Sequence, residues 1–306
     1  MDKSKTEYGD LYQVPWDNFI GASLKEYGYY CNVEQKLENQ LCGLLAATIE
    51  EPGVILDIGA HFGTMSLAMA HGLAQAPNRH TIVAVEPQPN NYAALCANLA
   101  LNDKLFSPVI PINGAIIPSI ELNTYDECTT IPLLNPVTPF NSGAVSLQEW
   151  ENRVGSDVPH VDVPNYTVLN LLAQLALHRS DLLFVKADVE GTEAKIIVDI
   201  LKHSTPVMFV ECNTDDATLI MESLIEDSSV LQNSYDIHWI CEPYYVDSVD
   251  TRNIWNREIW SVNLLFVPRW FKDRYAFSTD APRFGKVTTV KDAIDATRKV
   301  VHDAQA

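Results

Sequence analysis

Two short segments hold residues whose types and spacing suit a nucleoside ligand. The first is Asp57-Ile58-Gly59-Ala60-His61-Phe62-Gly63, followed by Thr64. Gly59 and Gly63 let backbone approach a ligand closely, because no Cβ stands in the way. A helix starting behind such a turn offers unpaired N–H groups and a partial positive charge. The second is Glu86, 23 positions after Gly63. That is near the spacing at which a carboxylate meets the two ribose hydroxyls of a bound nucleoside. A charge-assisted hydrogen bond of this kind contributes about 1.5–3 kcal/mol. Tight strand–helix packing would explain the glycines alone, and a solvated strand end would explain Glu86 alone. Their combination favours the nucleoside.

The loop discriminates between two cofactors. A dinucleotide site reads GxGxxG, with a third glycine for helix–strand packing. Here the spacing is G-x-x-x-G, and His61 takes the place of the close-approach glycine. Asp57 precedes Gly59 by two positions. A carboxylate there repels a pyrophosphate but suits the ammonium of a sulfonium cofactor, or the N–H groups of the loop. The pattern leans to S-adenosyl-L-methionine. A nicotinamide-dependent oxidoreductase is the rival enzyme, and a non-catalytic S-adenosylmethionine-binding protein would keep the same glycines and Glu86.

The elements that must position these residues follow a regular rhythm. Apolar, β-branched runs at 53–58, 80–86, 109–112, 182–186 and 207–211 read as buried strands. Residues 237–241 and 260–267 read as two late strands. Helical patterns fall at 34–49, 64–75, 91–101, 168–177, 193–202 and 216–225, with a further amphipathic helix at 287–301. Alternation of this kind implies right-handed βαβ units and a mostly parallel sheet covered on both faces. Segment 118–164 interrupts it with six prolines and reads as a lid or binding loop.

Ligands of open α/β sheets sit where parallel strands end. Asp188 follows the fourth strand, Glu190 lies two residues on, and Glu211 ends the fifth. These are the candidate catalytic carboxylates, since an alcohol nucleophile benefits from a general base. Glu190 can instead bond loop amides or cap the helix beginning near Thr192. Lys186, a charge inside an apolar strand, is expected to pair with one of them. Three carboxylates also suit Mg²⁺, although a metal-free site is the favoured reading. His61 is either a base or, preferably, a loop residue bonded to backbone. Aromatic segments 235–239 and 255–260 either line an acceptor pocket or belong to core and surface.

Several segments together resemble the FkbM-type family of class I S-adenosylmethionine-dependent methyltransferases. They are Val54 to Gly63, Val83-Ala84-Val85-Glu86-Pro87-Gln88-Pro89, Asn98 with Asn102, Thr167 to Leu172, Val185-Lys186-Ala187-Asp188-Val189-Glu190-Gly191-Thr192-Glu193 and Pro206 to Glu211. The K-x-D-V-E-G-x-E run is the most specific. His61 stands where the family more often has Asn, Ala187 where a branched apolar residue is usual, and Asn170 where Asp is frequent. The resemblance implies a Rossmann-like, seven-stranded sheet with one antiparallel strand near the C-terminus. It implies methyl transfer to a hydroxyl, often on a sugar or natural product. It also implies that Asp188 faces the methionine end of the cofactor or the acceptor. Asn113, Gly114 and Ala115 would then meet the adenine edge, with Pro87 and Gln88 flanking the ring.

Composition narrows the partners. Lys plus Arg is 21 and Asp plus Glu is 40, a formal net charge of −19. With no basic run, phosphate backbones and anionic membranes are repelled. The six cysteines form no CxxC pair, and the N-terminus has no apolar signal core. A cytoplasmic enzyme acting on a small-molecule or carbohydrate acceptor is expected, without nucleic acid or membrane; a homo-oligomer stays open. The expected layout is an N-terminal helical extension at 1–50, a methyltransferase domain at 51–282 and a C-terminal helical tail at 283–306.

Overall fold

The computed structural model describes residues 3–12, 14, 17, 19–76, 79–102, 107–119, 127–133, 159–189, 191–212, 215–243 and 260–274. In chain order the strands are β1 (Lys3–Thr6), β2 (Gly9–Tyr12), β3 (Gly53–Ile58), β4 (His80–Glu86), β5 (Val109–Asn113), β6 (Ala115–Ile116), β7 (Cys128–Pro132), β8 (His160–Tyr166), β9 (Leu182–Ala187), β10 (Val207–Glu211), β11 (Tyr235–Pro243) and β12 (Trp260–Pro268). The helices are α1 (Ile20–Tyr27), α2 (Asn32–Thr48), α3 (Thr64–Gly72), α4 (Pro89–Leu101), α5 (Val168–Gln174), α6 (Glu193–Leu201), α7 (Asp215–Asp227), α8 (Ser229–Ser234) and α9 (Arg269–Arg274). Among the described residues no helix is long and apolar enough to cross a membrane.

Seven strands form one sheet in the order β11-β12-β10-β9-β3-β4-β5. Strand β12 runs antiparallel to both neighbours, and the other six share one direction. The central strands are apolar at nearly every position because both faces are covered: all six residues of β3 and of β9 are buried. One face carries Val54, Leu56, Ile58, Val185, Met208 and Val210 against Leu171, Ile196 and Ile200. The other carries Ile55, Phe184, Phe209 and Leu265 against Leu37, Leu41, Leu45 and Met69. Each such fully buried side chain contributes about 1.5–3 kcal/mol.

Two regions differ from the sequence expectation. The 1–50 extension, expected to be helical, opens with the β1–β2 hairpin before α1 and α2. Lys-Ser-Lys-Thr carries no apolar alternation to announce a strand. The hairpin is held from outside instead: Asn102 accepts from the Asp10 amide and donates to the Asp10 carbonyl, at 3.0 and 2.7 Å. The described ends of the 118–164 segment are also ordered. Strand β8 pairs antiparallel with β7 and parallel with β6 in a small three-stranded sheet. The middle of that segment, the helix expected at 287–301 and the aromatic segment 255–259 lie outside the described residues.

Candidate active site

The glycine loop leaves β3 and turns tightly under β4. The amides of Gly59 and Ala60 both donate to the Val85 carbonyl at 3.0 Å. Gly59 has φ +81, and a Cβ there would lie 1.8 Å from the Asp188 carbonyl oxygen. Only glycine lets the β9–α6 connection approach the loop this closely. Gly63, at φ +93, starts α3.

Glu86 is buried beneath this turn. One carboxylate oxygen accepts the His61 amide and the other the Gln88 amide, both at 2.9 Å. Burial pushes its pKa up to about 7, against the pull of these donors. The oxygen that takes Gln88 also accepts the Asn91 side-chain amide at 3.5 Å, so the oxygen on His61 is the one with a lone pair left for a further donor. Next to it, Asn113 Nδ2 donates to the Glu86 and Pro87 carbonyls at 2.9 and 3.0 Å, fixing the end of β4 against β5. Ala115 is buried at the start of β6. The Gln88 side chain donates to the Pro132 carbonyl at 2.8 Å and ties the small sheet to this corner. The candidate nucleoside residues Gly59, Ala60, His61, Gly63, Glu86, Pro87 and Asn113 therefore meet at the ends of β3, β4 and β5.

His61 adopts φ +51. Its Nε2 lies 3.9 Å from the Asp17 carboxylate. Burial lowers its pKa to about 4, with Asp17 opposing.

A second group of charges lies across β3 from Glu86. Ile55, Phe184 and Phe209 face the α2–α3 layer. With a period of two, Asp57, Lys186 and Glu211 face the same way at the strand ends. Lys186 pairs with Asp57 in register, and Glu211 with Asn263. The Lys186 ammonium donates to the Gly59 carbonyl at 2.9 Å and to Asp188 Oδ2 at 3.1 Å, and lies 3.7 Å from Asp57 Oδ1. Burial alone would lower the Lys186 pKa, but Asp188, Asp57, Glu38 and Glu211 outweigh it and hold it above the ordinary lysine value. Burial pushes Asp188 up, yet Lys186 and a side-chain hydrogen bond with Glu211 hold it below the usual carboxylate range. A hydrogen bond between two carboxyl groups requires one shared proton. Asp57 is fully buried, and its Oδ2 accepts the Ser66 hydroxyl at 2.5 Å. Burial raises its pKa, while Lys186 and Ser66 pull the other way.

Several groups escaped sequence reasoning. Glu193 accepts the Val189 amide at 3.0 Å and the Gly191 amide at 3.0 and 3.1 Å. It thus fills the loop-bonding role considered for Glu190, which lies outside the described residues. Glu34 and Glu38 project from α2 toward the same strand ends, where Asn263 Nδ2 donates to Glu34. Two carboxylates one helical turn apart on a buried face were the available signal. Segment 235–239 is core: Tyr235 and Trp239 are buried, and the Tyr235 hydroxyl donates to the Pro206 carbonyl at 3.0 Å. Among the described residues, no group of three or more His, Cys, Asp or Glu is arranged to hold a metal ion.

The methyltransferase FkbM domain matches residues 57–228. The methyltransferase sdnD of Sordaria araneosa is 29% identical over 197 residues, which are 56% of this chain and 71% of that protein. Two solved structures are similar in outline. An O-methyltransferase from Bacillus cereus in complex with SAH has a TM-score of 0.42 at 11% identity, covering 81% of this chain and 86% of its own. Methyltransferase FkbM from Methylobacillus flagellatus KT has a TM-score of 0.38 at 15% identity, covering 71% of this chain and 44% of its own.

Proposed function

This chain belongs to the methyltransferase FkbM domain family and is an S-adenosylmethionine-dependent methyltransferase; we propose that its acceptor is a hydroxyl of a sugar, glycan or natural-product small molecule. The observation that carries this reading is the placement of Asp188. It stands beside the glycine loop, charged, with one oxygen on Lys186 and its side chain 32% exposed.

The residues present fit the cofactor. Glu86 has acceptor capacity left for a ribose hydroxyl on the oxygen bonded to His61, the other already holding Gln88 and Asn91. The glycines at 59 and 63 let the turn pack against the Asp188 carbonyl and Leu95, which holds the loop at the strand ends. Pro87, Asn113 and Ala115 frame the space for adenine, and Thr64 opens the helix behind the loop. Asp57 acts from below, holding Ser66 and Lys186. When bound, the sulfonium supplies an electrophilic methyl carbon.

The remaining work falls to the chain. The acceptor oxygen must lie in line with the methyl carbon and sulfur, which is first a matter of positioning. Asp188 Oδ2 is held by Lys186, leaving Oδ1 to accept the hydroxyl proton as the new O–C bond forms. Glu211 shares the charge of Asp188 through their hydrogen bond, and Glu193 fixes the loop between them and α6. In this reading the reaction needs no metal, because the Lys186 ammonium already sits between Asp57 and Asp188 where a dication would compete. EDTA should then leave the rate unchanged.

We further assign residues 51–282 to the methyltransferase unit. The five described cysteines are free, which supports a cytoplasmic setting. Incubation with methyl-labelled cofactor and a panel of polyols tests the acceptor chemistry. Label in a base-stable ether supports O-methylation of a hydroxyl. Label in an amine or a base-labile ester contradicts it, and label that never leaves the cofactor indicates a binding protein.

A further inference from the structure

The side of the site away from Glu86 holds more negative charge than the mechanism uses. Counting across the sheet, β4, β3, β9, β10 and β12 are successive neighbours. At about 4.8 Å per step, Asn263 on β12 lies roughly 19 Å from Glu86 and roughly 14 Å from β3. Between β3 and β12, four carboxyl groups act on the Lys186 ammonium, Asp57, Asp188, Glu211 and Glu38, and a fifth, Glu34, acts on Glu38. Among the described residues, Lys186 is the cation whose field reaches Glu38, Asp57 and Asp188. If Asp188 and Glu211 share one proton and Glu38 holds another, three carboxylates still face one ammonium, and a second ammonium beside Glu38 would favour release of its proton to solvent.

Glu38 singles this cluster out. It is 0% exposed, and neither of its oxygens has a hydrogen-bond partner among the described residues. A carboxyl group buried without partners costs several kcal/mol. Burial first, then Asp57, raises its pKa well above the ordinary value. Lys186 lies within its field but is already bonded to Gly59 and Asp188. Glu34, one turn earlier on the same helix, reaches Asn263 at the far end of the cluster.

We propose that the carboxylate cluster between α2 and the ends of β9, β10 and β12 seats a protonated amine of the methyl acceptor, with Glu38 as its principal partner. The inference rests on the methyl-transfer reading and narrows it: the acceptor is a cationic amino alcohol, of the amino-sugar kind. Phosphorylated or carboxylated acceptors meet repulsion there. Glu38 and Glu34 set specificity for the acceptor, while Asp188 handles its hydroxyl.

The test uses the full chain saturated with S-adenosylhomocysteine, so that the cofactor's own ammonium is already seated. Ligand-observed NMR then compares matched probes, ethanolamine with ethylene glycol and glucosamine with glucose, with glucose 6-phosphate as the anionic probe. The cationic member of each pair should bind at least about tenfold more tightly, and the phosphate should bind least. Glu38→Gln should erase this preference at full cofactor-site occupancy, and Glu34→Gln should reduce it. Equal binding within each wild-type pair, no detectable binding of either amine, or tighter binding of the phosphate overturns the proposal. A preference kept in both variants overturns the assignment to these residues. Failure of S-adenosylhomocysteine to bind at all would instead overturn the methyl-transfer reading, and this one with it.

Discussion

The Lys186 ammonium lies 2.9 Å from the Gly59 carbonyl oxygen. This contact joins the cofactor loop to the end of β9, and the same nitrogen holds Asp188. One buried cation therefore sets the separation between the glycine loop and the Asp188 carboxylate.

Replacing Lys186 by Met tests that role. Removing one partner from a buried ion pair costs about 3–5 kcal/mol, because the remaining charges are left uncompensated. Asp188 has a depressed pKa, so its contribution is present above its unfolded value and is lost as pH falls through the folded one. Lys186 has a raised pKa, so its contribution is present below its unfolded value and is lost as pH rises through the folded one. The full loss should appear in urea unfolding between about pH 5 and 9. A variant as stable as wild type across that range contradicts the assignment.

Glu86 should make cofactor affinity pH-dependent. In the proposed site its carboxylate form accepts a ribose hydroxyl, and burial pushes its pKa up to about 7. Affinity for S-adenosylhomocysteine should fall by up to about tenfold per pH unit below that value. Stability runs the other way. A raised pKa favours the folded state fully below the unfolded value, and that contribution is lost as pH rises through about 7. The cofactor-free protein should therefore lose this share of its stability from about pH 4.5 to 7. Glu86→Gln should flatten both slopes, and Glu86→Ala should weaken binding about tenfold or more. Calorimetry and melting curves across this range check both, and an unchanged affinity refutes the ribose assignment.

Asp188→Asn separates chemistry from binding. If Asp188 accepts the hydroxyl proton, turnover should drop about 10²–10⁴-fold, while affinity for S-adenosylhomocysteine changes far less. A wild-type rate in single-turnover measurements with labelled cofactor removes Asp188 from the reaction.

Asn98 couples the hairpin to the cofactor loop. Its Oδ1 accepts the Tyr12 amide at 2.7 Å, and its Nδ2 donates to the Phe62 carbonyl at 2.9 Å. Asn98→Ala leaves each of these groups unsatisfied, at about 1–3 kcal/mol apiece. Hydrogen exchange at the Tyr12 amide should accelerate, and cofactor affinity should fall with it. Unchanged exchange shows that the hairpin docks by other contacts.

The legible part of this protein was the part written in runs. Strands β3, β4, β9 and β10 are buried on both faces, so their sequences are apolar except toward their ends and cannot be mistaken for surface. Gly59 was legible because close backbone approach restricts residue type, and Glu86 because a carboxylate closing β4 stands out in an apolar run. Glu34 and Glu38 were not, because a carboxylate on a helix reads as solvated until the sheet edge beneath it is known. Strand β1 was hidden because Lys3 to Thr6 carry no apolar side chain; the hairpin's buried apolar residues, Tyr8 and Leu11, lie on its turn and on β2. Glu193 was overlooked for a different reason: which of two nearby glutamates meets the loop amides depends on the turn at Gly191, at φ +125, and not on spacing.

The claim beneath all of these is that the turn at Gly59 and Gly63, with Glu86 below it, receives the adenosine of S-adenosylmethionine. Parallel calorimetric titrations with S-adenosylhomocysteine and with NAD test it most directly. The account predicts saturable binding of S-adenosylhomocysteine, weakened about tenfold or more by Glu86→Ala, and no heat from NAD. Binding of NAD without binding of S-adenosylhomocysteine would contradict it.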